Sequence, residues 1–300
     1  RAVAGYALSF AAPSAIQTAL ALRQAIWRKG RPGWQVCGIP GILYSDHGSD
    51  FTSRHLEQVA ADLPAKQEQV LEVELHPRHR KLYQTHLQRE RQKVLSLIDD
   101  LDTNRFMILR SLTLLRQLSL HGALIDGAHQ DMPCAKIDLL LSQLQDVAAG
   151  GHRALVFSQF TRFLGKVRER LDAAGIESCY LDGKNRDRAA EVQRFKDGAA
   201  PAFLISLKAG GFGLNLTEAD YCFLLDPWWN PATEAQAVDR THRIGQSRNV
   251  MVYRLIAAGT IEEKVLALQA RKAELFTSVL DSGGAFSGSL DADDIRALFT

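Results

Sequence analysis

Between Thr233 and Gln246 the sequence reads TEAQAVDRTHRIGQ. At helical spacing Gln236, Arg240 and Arg243 fall within about sixty degrees of one another around the axis. One amide and two guanidinium groups aligned this way offer fixed donors to anionic oxygens, which is what a phosphoryl-transfer site needs. The same pattern also makes a plain solvated face, with Asp239 pairing Arg243 four residues on for roughly 0.3 kcal/mol. A second candidate precedes it. In KAGGFGLN, Lys208 to Asn215, glycines at 210, 211 and 213 let main-chain N–H groups approach a phosphate or a DNA strand with no Cβ in the way. Either feature alone is weak, and their pairing is the stronger signal.

These residues need elements to hold them. From Lys136 onward, helices of ten to fifteen residues alternate with short apolar strands: ALVFSQF, SCYLDG, AFLISL, YCFLLD and VMVYRLI. That rhythm predicts right-handed βαβ units and a parallel sheet covered by helices on both faces. Ligands of such sheets sit at the carboxyl ends of the strands. Those ends carry Arg162, then Lys184 and Arg186, then Lys208, then PWWNP, where Trp228 and Trp229 either stack on bases or pack the loop. Arg248, beyond a helix stop at Gly245, is expected to have no part in the site. Residues 66 to about 130 read as mainly helical after one short strand, EQVLEVELH. Residues 1 to about 63 read strand, helix, strand, helix. A linker, DSGGAFSGS, leads to a short C-terminal helix that Asp291 or Asp293 would cap.

Composition narrows the classes. A net charge of +2 does not by itself mark a nucleic-acid binder, so a basic surface would have to be local. No run of eighteen apolar residues exists, which argues against a membrane span. Cys37, Cys134, Cys179 and Cys222 are scattered, arguing against a zinc cage or disulfide framework and for a reducing, cytoplasmic setting. HPRHR, His76 to Arg80, reads as a solvated turn.

The strings LVFSQF, YLDG, ISLKAGGFGLNLTEAD, LLDPWWNPATEAQAVDRTHRIGQ and GTIEEKV resemble the second RecA-like lobe of Swi/Snf-type ATPases, helicase-like DNA translocases of superfamily two. The bacterial HepA-like branch looks most similar, and the resemblance spans about 66–300. It implies a RecA-like α/β lobe with helices on both faces of the sheet, using ATP and Mg2+. It further implies that Arg240 and Arg243 reach the γ-phosphate held by a first lobe, with Gln236 supporting, and that Gly211, Gly213 and Asn215 border the nucleotide. Ser158, Gln159, Asp182 and Gly183, with Arg162, Lys184, Arg186, Lys208, Ala209, Gly210 and Trp229, would face the DNA backbone. Double-stranded DNA, a matching first lobe and RNA polymerase or another DNA-bound complex are the partners implied, in a nucleoid setting. The helical region ends LLRQLSLHG where the family usually has His-Pro, so Gly122 departs from the pattern.

No G-x-x-x-x-G-K-[ST] pattern occurs in the 300 residues, so a first lobe is expected to be absent and the isolated chain inactive. In its place, GIPGILYSDHGSDFTSRHLEQVA resembles part of a retroviral-integrase-like transposase core, with Asp46 as an orphan carboxylate of a two-magnesium site. An ordinary strand-to-turn aspartate is the other reading of Asp46. Arg1 is no initiator, and the join near Leu63 and Pro64 reads as a fusion. The expected layout is therefore an integrase-like fragment (1–63), an inter-lobe helical region (64–130), a helicase C-terminal lobe (131–277), and a linker with a short helix (278–300). The expected function is the second motor lobe of a DNA-dependent ATPase. A polynucleotidyl-transferase remnant and a nonfunctional fragment with weak DNA binding stand as alternatives.

Overall fold

Ala154–Ser158, ALVFS, is buried at all five positions, without the polar alternation of a sheet that has one wet face. That is the signature of a strand covered by helices on both sides, and a computed structural model of the chain shows why. It describes residues 66–185, 187–207, 214–229, 231–242, 246–282 and 292–299. The expectations made for residues 1–63, including Asp46, lie outside the described residues.

Among the described residues six strands form one parallel sheet, in the order β1-β6-β5-β2-β4-β3. They are β1 (Lys66–Val73), β2 (Ala154–Ser158), β3 (Ser178–Leu181), β4 (Ala202–Ser206), β5 (Tyr221–Leu224) and β6 (Val250–Ala257). The helices are α1 (Pro77–Leu95), α2 (Leu101–Leu120), α3 (Ala135–Ala149), α4 (Thr161–Ala173), α5 (Arg188–Lys196), α6 (Pro231–Val238), α7 (Ile261–Ser282) and α8 (Ala292–Phe299). β2 lies between β4 and β5, so the chain crosses from one side of it to the other between β4 and β5. Such a crossing opens a crevice at the strands' carboxyl ends.

Alternate residues of β2 feed two cores. Ala154 and Val156 pack with Leu140, Leu144, Phe163 and Val167 from α3 and α4 on one face. Leu155 and Phe157 pack with Phe195, Phe203, Val238 and Val252 on the other. Each large side chain so buried contributes about 1.5–3 kcal/mol. Caps set several helix starts: Asp100 Oδ1 accepts from Thr103 N at 3.3 Å, and Asp187 Oδ1 from Ala190 N at 2.9 Å.

A third cluster joins the helical hairpin to the end of the chain. Tyr83, Leu112, Leu115 and Leu118 of α1 and α2 pack with Ile261, Val265 and Leu268 of α7 and with Ile295, Leu298 and Phe299 of α8. The C-terminal helix is thus docked, and Arg271 of α7 pairs with Asp294 there. The strand read in EQVLEVELH is present, but it belongs to the lobe's sheet: all eight residues of β1 register against β6, from Lys66↔Val250 to Val73↔Ala257.

Candidate functional site

The carboxyl ends of β2 and β5 are joined by a buried carboxylate. Asp226, two residues past β5, accepts from the Ser158 hydroxyl and from Gln159 N (3.3 Å). Ser158 Oγ in turn accepts from Phe160 N at 3.0 Å, which turns the chain into α4. The opposite charge arrives from outside the sheet. Arg116 of α2 places its guanidinium 3.5 Å from Asp226, donates to the Pro227 carbonyl, and lies against the Gln159 side-chain amide. The rings of Phe160, Trp228 and Trp229 surround it at 5.6, 5.4 and 5.0 Å. Loss of water pushes the Asp226 carboxyl up to about 6, against the opposing pull of Arg116 and the Ser158 hydrogen bond. The same loss of water lowers Arg116.

A second set of contacts fixes the start of α6. Glu234, 1% exposed, accepts from Trp228 N at 2.6 Å and from Gln269 Nε2 of α7 at 2.9 Å, and pairs with Arg254 of β6. Arg254 also holds Glu68 of β1 at 2.9 Å. Nearby, Lys136 of α3 donates to the Leu225 carbonyl at 2.8 Å and to Glu262 at 2.6 Å. The PWW turn is therefore gripped from α2, α3, α6 and α7.

The chain after α6 is stapled to the chain after the glycine-rich loop. Leu216 N donates to the Arg240 carbonyl at 3.1 Å. Gln246 Nε2 donates to the carbonyls of Thr217, Ala219 and Thr241 at 3.2, 2.8 and 3.1 Å. The chain just after the glycine-rich loop and the arginine turn are thus adjacent, on the approach to the amino end of β5, where Asp220 N donates to the Arg153 carbonyl ahead of β2 at 3.2 Å. Asn215, at the loop's exit, is half-buried, and its Oδ1 accepts no hydrogen bond among the described residues.

The helix itself is shorter than its sequence suggests. α6 ends at Val238, and Thr241 N turns back to the Val238 carbonyl at 3.0 Å. Arg240 lies in this turn, where Asp239 N and His242 N still bond four residues back, to the Ala235 and Val238 carbonyls at 2.9 and 3.2 Å. It is buried, with Nε 3.4 Å from the Gln236 carbonyl and its guanidinium 5.8 Å from the Phe157 ring. The Gln236 side chain is exposed. Arg243, like Arg186, Lys208, Ala209, Gly210, Gly211 and Gly213, lies outside the described residues.

Several residues expected to face DNA are engaged otherwise. Ser158 is fully buried on Asp226, so its hydroxyl is no surface donor; Gln159 faces Arg116. Arg162 donates to the carbonyls of Leu124 and Ala123 at 2.9 and 3.1 Å, bracing α4 on the turn after α2. Trp229 is half-buried against the third cluster, which is the packing alternative. Asp182 closes a loop of its own, accepting from Lys184 N at 2.7 Å while its N–H donates to Asn185 Oδ1 at 2.7 Å. Gly183 and Lys184 are exposed there. Arg248 is not idle: it pairs with the buried Asp220 at 3.3 Å, beside His152.

Arg116, Lys136, Asp226, Glu234 and Glu262 were not singled out from sequence. One signal was available, since Arg116 sits among the apolar positions of LLRQLSL, where a cation needs a buried partner.

Comparison with known proteins accords with this geometry. Residues 135–245 match the helicase conserved C-terminal domain. An uncharacterized ATP-dependent helicase of Mycoplasma pneumoniae is 35% identical over 262 residues, covering 86% of this chain and 25% of the relative. That alignment is longer than the stretch from Lys66 to Thr300 and so takes in part of the first segment. DNA repair protein RAD5A of Arabidopsis thaliana is 40% identical over 169 residues, 55% of this chain and 16% of its own. The chain spans a quarter or less of the length of these relatives. Among solved structures, the Sulfolobus solfataricus SWI2/SNF2 ATPase C-terminal domain superposes with a TM-score of 0.58 at 26% identity, covering 78% of this chain and 97% of that one. The ATPase core from the same organism in complex with dsDNA gives 0.63 at 29%, covering 81% and 52%. The fold is RecA-like α/β, and these likenesses support a SWI2/SNF2-type helicase C-terminal lobe.

Proposed function

We propose that this chain is the second motor lobe of a DNA-dependent ATPase of SWI2/SNF2 type. In this reading Arg240 and Arg243 stabilise negative charge on a phosphoryl group that a first lobe holds, and exposed strand-end residues such as Lys184 touch the DNA backbone. The observation that carries it is the hydrogen bond from Leu216 to Arg240. It ties the exit of the glycine-rich loop directly to the arginine turn.

The buried Arg240 guanidinium lies over the Phe157 ring, and the Arg240 carbonyl accepts from Leu216, the residue after the half-buried Asn215; a guanidinium is a donor that suits an anionic phosphate. Magnesium fits less well: among the described residues no group of three His, Cys, Asp or Glu could hold a metal ion. The ion would accompany the nucleotide on the first lobe. The duplex in the Sulfolobus complex supports DNA as partner.

The test uses a two-lobed protein carrying this lobe. Arg240→Ala and Arg243→Ala should each lower turnover about a thousandfold while ATP still binds, because a guanidinium against the transferring group gains most in the transition state. Arg243→Lys should not rescue, since an ammonium lacks the planar fork. Near-parental turnover by both alanine variants would reject the assignment. The chain by itself should show no ATPase activity, with or without duplex.

A further inference from the structure

The chain as a whole is nearly balanced, with 36 Lys and Arg against 34 Asp and Glu. One helix departs from that balance. Over its 19 residues α1 carries Arg78, Arg80, Lys81, Arg89, Arg91 and Lys93, against the single acid Glu90. Packing decides where they go. His79, Tyr83, Glu90 and Val94 turn inward toward α2 and α7, so the lone acid is spent on the inside and the arginines and Lys81 take the solvent side. Arg80 pairs with Glu74, and Lys93 lies 3.6 Å from Glu90. Among the described residues Arg78, Lys81, Arg89 and Arg91 pair with no carboxylate. Like charges at one-turn spacing cost helix stability, so the pattern works against the free chain.

We propose that this face of α1 is a second contact surface for the phosphate backbone of duplex DNA, separate from the strand ends. It rests on the DNA-binding reading above. Two features favour a nucleic-acid backbone over an acidic protein. A protein interface has an apolar centre, whereas the exposed residues between these cations are Gln84, Thr85, Gln88 and Gln92, and the one large exposed apolar side chain, Leu95, stands at the helix end. Guanidinium, ammonium and amide groups are the donors that bind phosphate oxygens without reading sequence. The spacing also matches. Arg78 to Arg91 spans about 20 Å along the axis, over which a duplex presents on the order of a dozen phosphate charges.

The experiment titrates the full chain with a fluorescein-labelled duplex across a salt series, for the parent and for Arg78→Gln/Lys81→Gln/Arg89→Gln/Arg91→Gln. Glutamine keeps helix propensity at exposed sites, so the melting temperature should hold. The quadruple variant should lose three to four from the slope of log affinity against log salt, about one per phosphate contact, and at least tenfold in affinity near 0.1 M salt. Should its melting temperature fall, Arg89→Gln and Arg91→Gln separately should each remove about one from the slope. Binding by the parent with an unchanged slope in the variants would overturn this surface and leave the DNA reading standing. A parent that binds no duplex would overturn both. Tighter binding to poly-glutamate than to duplex, lost in the same variants, would replace DNA with an acidic protein segment.

Discussion

Arg116 on the helical hairpin and Asp226 past β5 meet at 3.5 Å, with 3% and 1% of their side chains open to solvent. Removing one partner of a buried pair leaves the other charge stranded, at a cost of roughly 3–5 kcal/mol. Arg116→Ala should therefore lower unfolding free energy by about that amount in urea. Arg116→Lys should recover little, because the Pro227 carbonyl, the Gln159 amide and the carboxylate are met by different edges of one planar group. An alanine variant within about 1 kcal/mol of the parent would contradict the role given to this pair.

Asp226 sets a pH dependence of unusual sign. Its carboxyl is raised from 3.8 to about 6 in the folded chain, so its contribution is fully present below pH 3.8 and is lost as pH rises through 6. Asp226→Asn should remove that fall, worth about 2–3 kcal/mol over the window. Urea midpoints measured from pH 4 to 7 for parent and variant give the difference directly.

His121 acts in the opposite sense. Burial lowers its imidazole from 6.5 to about 4, and the neighbouring buried His79 is lowered as well. A depressed histidine stabilises the fold above pH 6.5, and that stability drains away as pH falls toward 4. In the parent the Asp226 and His121 slopes oppose each other over the same interval. His121→Asn should leave a profile that falls more steeply with rising pH, and Asp226→Asn one that rises. If neither variant tilts the profile relative to the parent, the assignment of these groups fails.

Gly122 is held in a tight site. A Cβ there would lie 2.9 Å from Leu82 Cδ2, 3.0 Å from His129 Cβ and 3.2 Å from Met132 Sδ. Gly122→Ala should destabilise by about 1–3 kcal/mol through overpacking, read as a drop in melting temperature. Proline, which the family resemblance puts at this position, should cost more. A neutral Gly122→Pro would mean that Leu82 and Met132 yield easily.

What sequence made legible follows from the range of the interactions. Buried apolar runs such as ALVFS and AFLIS announce strands covered on both faces, because local hydrophobicity and β-propensity agree there. The place of β1 was not legible, since KQEQVLEV is polar enough for a free-standing edge and its partner β6 is remote in sequence. The end of α6 was misjudged because AVDRTH continues the helical period, and the turn after Val238 is imposed by Gln246 and Leu216. The resemblance implied that Ser158 faces DNA, but only the fold shows its hydroxyl bound to Asp226, an aspartate 68 residues away in sequence.

The pairing of β1 with β6 has a consequence for synthesis. Among the described residues β6 is the only neighbour of β1 in the sheet, and Val250 faces Lys66. At about 5–20 residues per second, Val250 is made roughly 10–40 s after Lys66. Throughout that interval β1 lacks its β6 partner, and a strand edge without its partner is the kind of segment that recruits other chains. Lys66, Glu68 and Glu72, interspersed with two glutamines, keep it poorly suited to sticking. In the finished sheet these residues look like an ordinary polar rim; on the nascent chain they are what allows the strand to wait.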